Sequence, residues 1–326
     1  MKRLMLLCAS LCTVAFVVPA KPVHAQNLAW VSPNGNDSNT CSQTSPCATF
    51  AGAIAKGGIA QINCLGSGNY GALNSTTVSI TDSIIIDCGD GNVGEMTTNG
   101  GSAAVNINSS DANAVIVLRH LSLNGGDNTG VNGINTQAFP AGTLIVENCV
   151  IHGFHYSSPN GVTGNGIYFA PTSGRALLQV SDSLFYDNNY NQLEVNPSSG
   201  VIASVVLNRD EFTANPGADA YGIFLEGAGT IAGTMRESVV AENGVDGISA
   251  IASAVYFTIE ESSIVDNLGV GIYGGSSGAH LNVGASTIGG NGTGVLAFSG
   301  SIISFGNNQM SANGTNGTFT STTPLQ

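Results

Sequence analysis

The sequence predicts an all-β protein: a right-handed parallel β-helix of three-stranded coils with an asparagine ladder and a short N-terminal capping helix. Three observations predict it. The first is a repeat. In residues 256–272 apolar side chains alternate at Phe257 and Ile259, a small polar residue follows at Ser262, then come Ile264 and Asn267, and a Gly271-Ile272 pair closes the unit. Aligned on Ile259, the unit recurs at Leu118, Val146, Val180, Leu207, Met235, Val283 and Phe305, at intervals of 22 to 34 residues. The second is composition. The chain has 44 glycines and many Asn, Ser and Thr residues between short β-branched runs, which is strand-and-turn chemistry. The third is the column Asn188, Asn215, Asn243, Asn267, Asn291 and Asn313, one asparagine in each of six successive units.

No single unit can bury its apolar face alone. Stacking each coil on the last, with every strand paired in parallel to its neighbours, buries a continuous core. Stacked asparagine amides can then bond to one another and to turn backbone. The right hand is expected because parallel crossovers are almost always right-handed.

The elements follow in order. Residues 1–25 read as a signal peptide: Lys2 and Arg3 open it, an apolar run follows, and Val23-His24-Ala25 has the small-residue form of a cleavage site. The apolar run is too short for a membrane span. Residues 26–58 form an entry segment. Ala29-Trp30-Val31-Ser32 is a short strand, Pro33 to Asp37 is turn chemistry, and 49–56 reads as a helix with Phe50 and Ile54 on its apolar face, capping the first coil before Gly57-Gly58 stops it. Residues 59–326 form the coils. The polar tail from Gly314, with Phe319, is expected to cover the last one. An open stack would otherwise expose pairing edges and favour end-to-end association of an otherwise monomeric protein.

Removal of the leader leaves five cations, Lys56, Arg119, Arg175, Arg209 and Arg236, and moves the net charge from −13 to −16. Such a surface argues against nucleic acid or anionic membranes as partners. Five cysteines remain. Cys41 and Cys47 flank a Pro-containing turn and could bridge each other. Cys64 and Cys88 each end an apolar alternation, so coiling would set one above the other. Cys149 falls in the small-polar column and reads as a buried free thiol. These cysteines suit an oxidising compartment, and their spacing is not that of a metal site.

The asparagine column, the Gly-Ile strands and the opening Trp30-Val31-Ser32-Pro33-Asn34-Gly35-Asn36-Asp37 resemble the right-handed parallel β-helix proteins of the pectate-lyase-like group. The segment from Cys41 through Cys47 to Ile54, with Ile62-Asn63-Cys64 and Ile86-Asp87-Cys88, is similar to exported bacterial β-helix proteins to which no activity is assigned. The resemblance implies a fold more than a function, because this fold hosts lyases, hydrolases, epimerases and binding proteins.

In enzymes of that group the substrate lies along one outer strand face. Here two outer columns follow the strand that ends at Val180, Met235 or Ile259. They read Arg119, Glu147, Ser181, Asn208, Arg236, Glu260 and His120, Asn148, Asp182, Arg209, Glu237, Glu261. The candidate catalytic residues are Arg209, Arg236, Glu237, Glu260 and Glu261: paired carboxylates for proton transfer, arginines for a uronate carboxylate. Asp182, Arg209, Arg236 and Tyr156 are the candidate ligand-binding residues. The competing explanation is charge pairing between coils. The Asp-Asp pair, Gly-His-Gly and Arg-x-Lys elements of the polygalacturonase-like members are absent. So are the aspartate cluster of the pectate lyases and the calcium-binding nonapeptide. No cofactor is called for, although Asp187, Glu242 and Asp266, sharing a column, could hold calcium. His152, His155, Tyr156 and Tyr168 gather around the longest interval, too few converging ligands for a metal. The expected function is therefore that of an exported, non-catalytic protein of the periplasm, cell surface or medium that binds polysaccharide or serves structurally. The alternative is a lyase, hydrolase or epimerase acting on an acidic glycan.

Overall fold

The computed structural model describes residues 27–323, apart from 72–76, 90, 99–100, 127–129, 138, 156, 159–160, 163, 216 and 218–219. The leader (1–25) and Tyr156 lie outside the described residues.

The chain winds as a parallel β-helix. Among the described residues its three parallel sheets hold 12, 10 and 10 strands, each sheet taking one strand from successive coils. The first sheet includes Arg175–Ser181, Ile202–Asn208, Thr230–Arg236 and Ala254–Glu260. The second includes Leu184–Tyr186, Glu211–Asn215 and Val239–Asn243. The third includes Asn132–Asn135, Asn165–Phe169, Asn191–Val195, Tyr221–Leu225, Ile248–Ala250 and Val270–Gly274. The register matches the repeat: Leu118, Val146, Val180, Leu207, Met235, Ile259 and Val283 pair in one column. These side chains are all buried, because alternation sends every second residue inward and stacking covers it from above and below.

The last unit departs from the alignment by one residue. Val283 pairs with Ser304, not Phe305, and Leu281 pairs with Ile302, not Ile303. Because side chains alternate with a period of two, that slip turns Ile302 inward and leaves Phe305 half-exposed. The extra residue is absorbed at the corner, where Gly306 has φ +85° and Ser304 Oγ accepts from the Gly306 amide at 3.0 Å.

Two ladders hold the corners. Cys149, Ser183, Asp210, Ser238 and Ser262 each donate a backbone N–H to the side-chain oxygen of the next coil at 3.1–3.2 Å. The expected asparagine column forms the second, but its amide chain is continuous only from Asn243 through Asn267 and Asn291 to Asn313. Below it Asn188 turns to Gln192, and Asn215 donates to the Tyr190 carbonyl at 2.8 Å.

At the N-terminal end Phe50–Ile54 is a one-turn helix capped by Thr49, whose hydroxyl accepts from the Gly52 amide. Phe50 is fully buried against Tyr70, ring centroids 5.2 Å apart, and Ile54 is partly buried on the core, as a cap requires. Gly57 and Gly58, both at positive φ, end the helix. Cys41 bonds to Cys47 and Cys64 to Cys88, while Cys149 is a buried free thiol, pushed up to about 12 by desolvation. The tail forms further strands, Thr315–Gly317 and Ser321–Thr322, that extend the third and first sheets. Phe319 packs on the core from there. No described helix is long and apolar enough to cross a membrane.

Candidate functional site

The charged columns come first, because the sequence singles them out. Asp182, Arg209, Glu237 and Glu261 all occupy the corner between the first and second sheets, each at a φ of 50–56°. This left-handed conformation turns the chain in one residue and points the side chain outward. The charges then pair across coils. Arg209 grips Asp182 with Nε and Nη2, both at 2.7 Å. That guanidinium holds the Asp182 carboxyl below its usual range. Arg236 grips Glu261 in the same way, at 3.2 and 2.7 Å, with Glu237 at 3.6 Å and Glu260 at 4.0 Å. Arg119 pairs with Glu147 at 2.6 Å. Arg209 and Arg236 line a shallow depression of about 370 Å³ with Glu147, Gln179 and Thr234, and both are about half exposed. Geometry therefore brings the five candidate residues together, but with each arginine already committed to a carboxylate on an open surface.

The histidine and tyrosine cluster separates. His152 stacks on Tyr186 of the second sheet, centroids 4.7 Å apart, and burial lowers its pKa. His155 Nε2 lies 3.1 Å from Asp187 Oδ1. Tyr168 belongs to the third sheet. In the column of Asp187, Glu242 and Asp266, the coil of Ala214 stands between Asp187 and Glu242. Among the described residues no three His, Cys, Asp or Glu side chains converge as metal ligands.

The strongest constellation lies elsewhere, on the outer face of the third sheet. Leu193 and Val195 point into the core, so Glu194 between them points out, yet it is only 4% exposed. Its Oε2 accepts from Asn165 Nδ2 at 3.1 Å and Asn191 Nδ2 at 3.0 Å, and its Oε1 from Asn196 Nδ2 at 3.3 Å. Asn196 Nδ2 also donates to Glu226 Oε1 at 2.6 Å. Asn196 Nδ2 thus bridges the Glu194 and Glu226 carboxyl groups. Burial, followed by the Glu226 charge, pushes the Glu194 carboxyl up to about 7. The Tyr168 hydroxyl is pushed up to about 12, by burial first and then by these two carboxylates. Val131, Asn135, Gln137 and Tyr190 complete the walls of a cleft of about 380 Å³, and among the described residues its lining contains no Lys, Arg or His.

A third ladder, the second built of asparagines, supports this site. The Asn165 amide N–H donates to Asn132 Oδ1, and that of Asn191 to Asn165 Oδ1, leaving their Nδ2 groups free to hold Glu194. Glu194 itself carries no mark in the sequence, because an outward position on an alternating strand ordinarily faces water. One signal lies beside it. Ile167 pairs with Leu193, in the coil where Gln192-Leu193 replaces the usual Gly-Ile, and Glu194 directly follows that replacement. A larger depression, about 570 Å³, lies between the N-terminal helix and residues 80–84, but among the described residues Asp82 and Asp111 are its only titratable lining residues.

No protein-family model matches the sequence, and no curated protein matches it. Among solved structures the chain is similar to pectate lyase Pel9A, with a TM-score of 0.52 at 15% identity over 84% of this chain and 78% of that one. It also overlays on the A-module of the mannuronan C-5 epimerase AlgE6 of Azotobacter vinelandii, TM-score 0.37 at 14% identity over 84% and 92%. A rhamnogalacturonan lyase gives 0.29 at 11% over 78% and 84%. At these identities the likeness is one of fold.

Proposed function

We propose that this protein is an exported glycan-binding β-helix whose binding site is the cleft over Tyr168, Glu194 and Glu226. The observation that carries the reading is Glu194: a carboxyl group nine-tenths buried at the floor of an open cleft, held by three asparagine amides and bordered by Tyr168 and Tyr190. Convergent polar groups between flat aromatic rings suit a sugar, which offers hydroxyls at its edge and C–H groups on its faces. The absence of any cation from the lining argues for a neutral glycan and against a polyuronate, which two carboxylates would repel. The two disulfides are compatible with the oxidising location proposed here.

A second reading, proton transfer to or from the bound glycan, is favoured by the Glu194 carboxyl titrating at about 7, where a general acid or base works best.

The test is titration of the mature protein with a panel of neutral and acidic polysaccharides, following both binding and product release. Retention by a neutral glycan that weakens in Tyr168→Ala and Glu194→Gln supports the reading. No retention by any neutral glycan overturns it. New reducing ends or unsaturated products would replace binding with catalysis.

A further inference from the structure

The cleft is one end of a longer feature. The outward column of the third sheet runs, coil by coil, Asn135, Tyr168, Glu194, Phe224, Ser249, Tyr273. Aromatic and small or polar residues alternate in it. The aromatic positions stand on every second coil, and at one strand spacing per coil they are about 9.6 Å apart. Between them Glu194 and Ser249 are recessed, at 4% and 2% exposure.

The rings are also arranged as platforms. Phe224 is only 7% exposed and lies under Tyr221, the two stacked at 4.6 Å with 18° between their planes, so on this coil Tyr221 is the ring that faces solvent. Tyr273 lies over the backbone of Gly275. A Cβ there would stand 2.6 Å from Tyr273 Cε1 and 2.8 Å from Ile251 Cγ2, so glycine is what lets the ring lie down beside Ile251. Beyond Tyr273 the face continues with exposed Leu296 and Phe298.

We infer that this face is a track for an extended, β-1,4-linked neutral glycan lying parallel to the helix axis, one aromatic platform to each disaccharide. In such a chain successive sugars are turned over, so the same face recurs every second sugar, at a length close to two coils. Each platform takes one sugar face, and the recessed polar groups between platforms meet the edge hydroxyls of the next sugar. A curved α-linked chain would leave the track after its first platform. This inference rests on the cleft reading and adds to it the linkage, the direction and the length of the ligand.

The experiment is calorimetric titration with β-1,4-linked glucose and mannose oligosaccharides from disaccharide to octasaccharide, with α-1,4-linked glucose oligomers of equal length beside them. Affinity is expected to rise with length until the chain reaches the third platform, at about the hexasaccharide, and the α-linked series is expected to stay at its disaccharide level. Tyr273→Ala, four coils from Tyr168, should weaken the hexasaccharide about tenfold and the disaccharide by less. Its circular dichroism and thermal unfolding should match those of the unmodified protein. Binding that is independent of length, or a hexasaccharide indifferent to Tyr273→Ala, overturns the track while leaving the cleft standing. Failure of every neutral oligosaccharide and polymer to bind overturns both.

Discussion

Ser183 donates its backbone N–H to the carboxyl group of Asp210 at 3.1 Å, in a column where the coils above offer a serine hydroxyl instead. The serines at 183, 238, 262 and 286 also return a hydrogen bond to the carbonyl two residues earlier in their own chain, at 2.7–2.9 Å. An ionised carboxylate cannot donate. Asp210 is 2% exposed, and burial pushes its carboxyl up to about 7.

Asp210→Ser gives up the bond from the Asn208 amide to Oδ2 at 2.9 Å but restores the column's own donor and removes a buried charge, so it should stabilise the protein by about 1 kcal/mol above pH 7. The gain should shrink at pH 5, where Asp210 keeps its proton in the fold. Chemical denaturation at the two pH values checks this. A less stable variant at pH 8 would show that the carboxylate serves the corner better than a hydroxyl does.

Asp210 and Glu194 both titrate at about 7 in the fold, well above free carboxyls. The folded state then holds more protons than the unfolded state across the interval between, so stability falls as pH rises from roughly 4 to 7 and levels off above it. The melting temperature is expected to decline over that window, and the double variant Asp210→Asn, Glu194→Gln to flatten the decline. A wild-type melting temperature that climbs from pH 4.5 to 7 would contradict the assignment of raised values to these two groups.

Much of the fold could be read from the residues, and the reason is stacking. A coil that repeats must place Val180, Leu207, Met235 and Ile259 in one column, so aligning them is the same act as registering the strands. In the final coil the repeat puts Phe305 where the fold puts Ser304, because the extra corner residue at Gly306 breaks the spacing. The candidate site was less legible. Charges at left-handed corners are conspicuous in sequence, yet outward projection is what makes Arg209 and Glu261 available for simple pairing. Glu194 is inconspicuous in sequence, because its burial comes from Tyr168, Asn165 and Glu226, brought over it from other coils.

The asparagine column is not uniform, and its stability contributions should differ accordingly. Asn267 accepts from both the amide and Nδ2 of Asn243, and donates to Asn291 and to the Val240 carbonyl. Asn267→Ala leaves several buried groups without partners and should cost about 2–4 kcal/mol. Asn215 has no ladder contact to Asn243, and its Oδ1 is already without a partner, so Asn215→Ala should cost clearly less. Equal losses in equilibrium unfolding would mean that the break in the ladder below Asn243 has no energetic meaning.

The charged strip and the cleft make opposite predictions for one pair of substitutions. Arg236 and Glu261 are half exposed and bonded to each other, a pair that water and salt screen well. Replacing both, as Arg236→Gln with Glu261→Gln, should barely move the melting temperature and should leave neutral-glycan binding as it was. Glu194→Gln keeps the shape of the buried side chain but places an amide where three asparagine Nδ2 groups donate. One terminal atom must then present N–H groups to donors, which should disorder the cleft floor and weaken binding while the coil itself persists. Measuring both variants against the same glycan decides between the two faces. If the strip variant loses binding and Glu194→Gln retains it, the ligand lies along the corner of Arg209 and Arg236, where opposite charges face each other across coils.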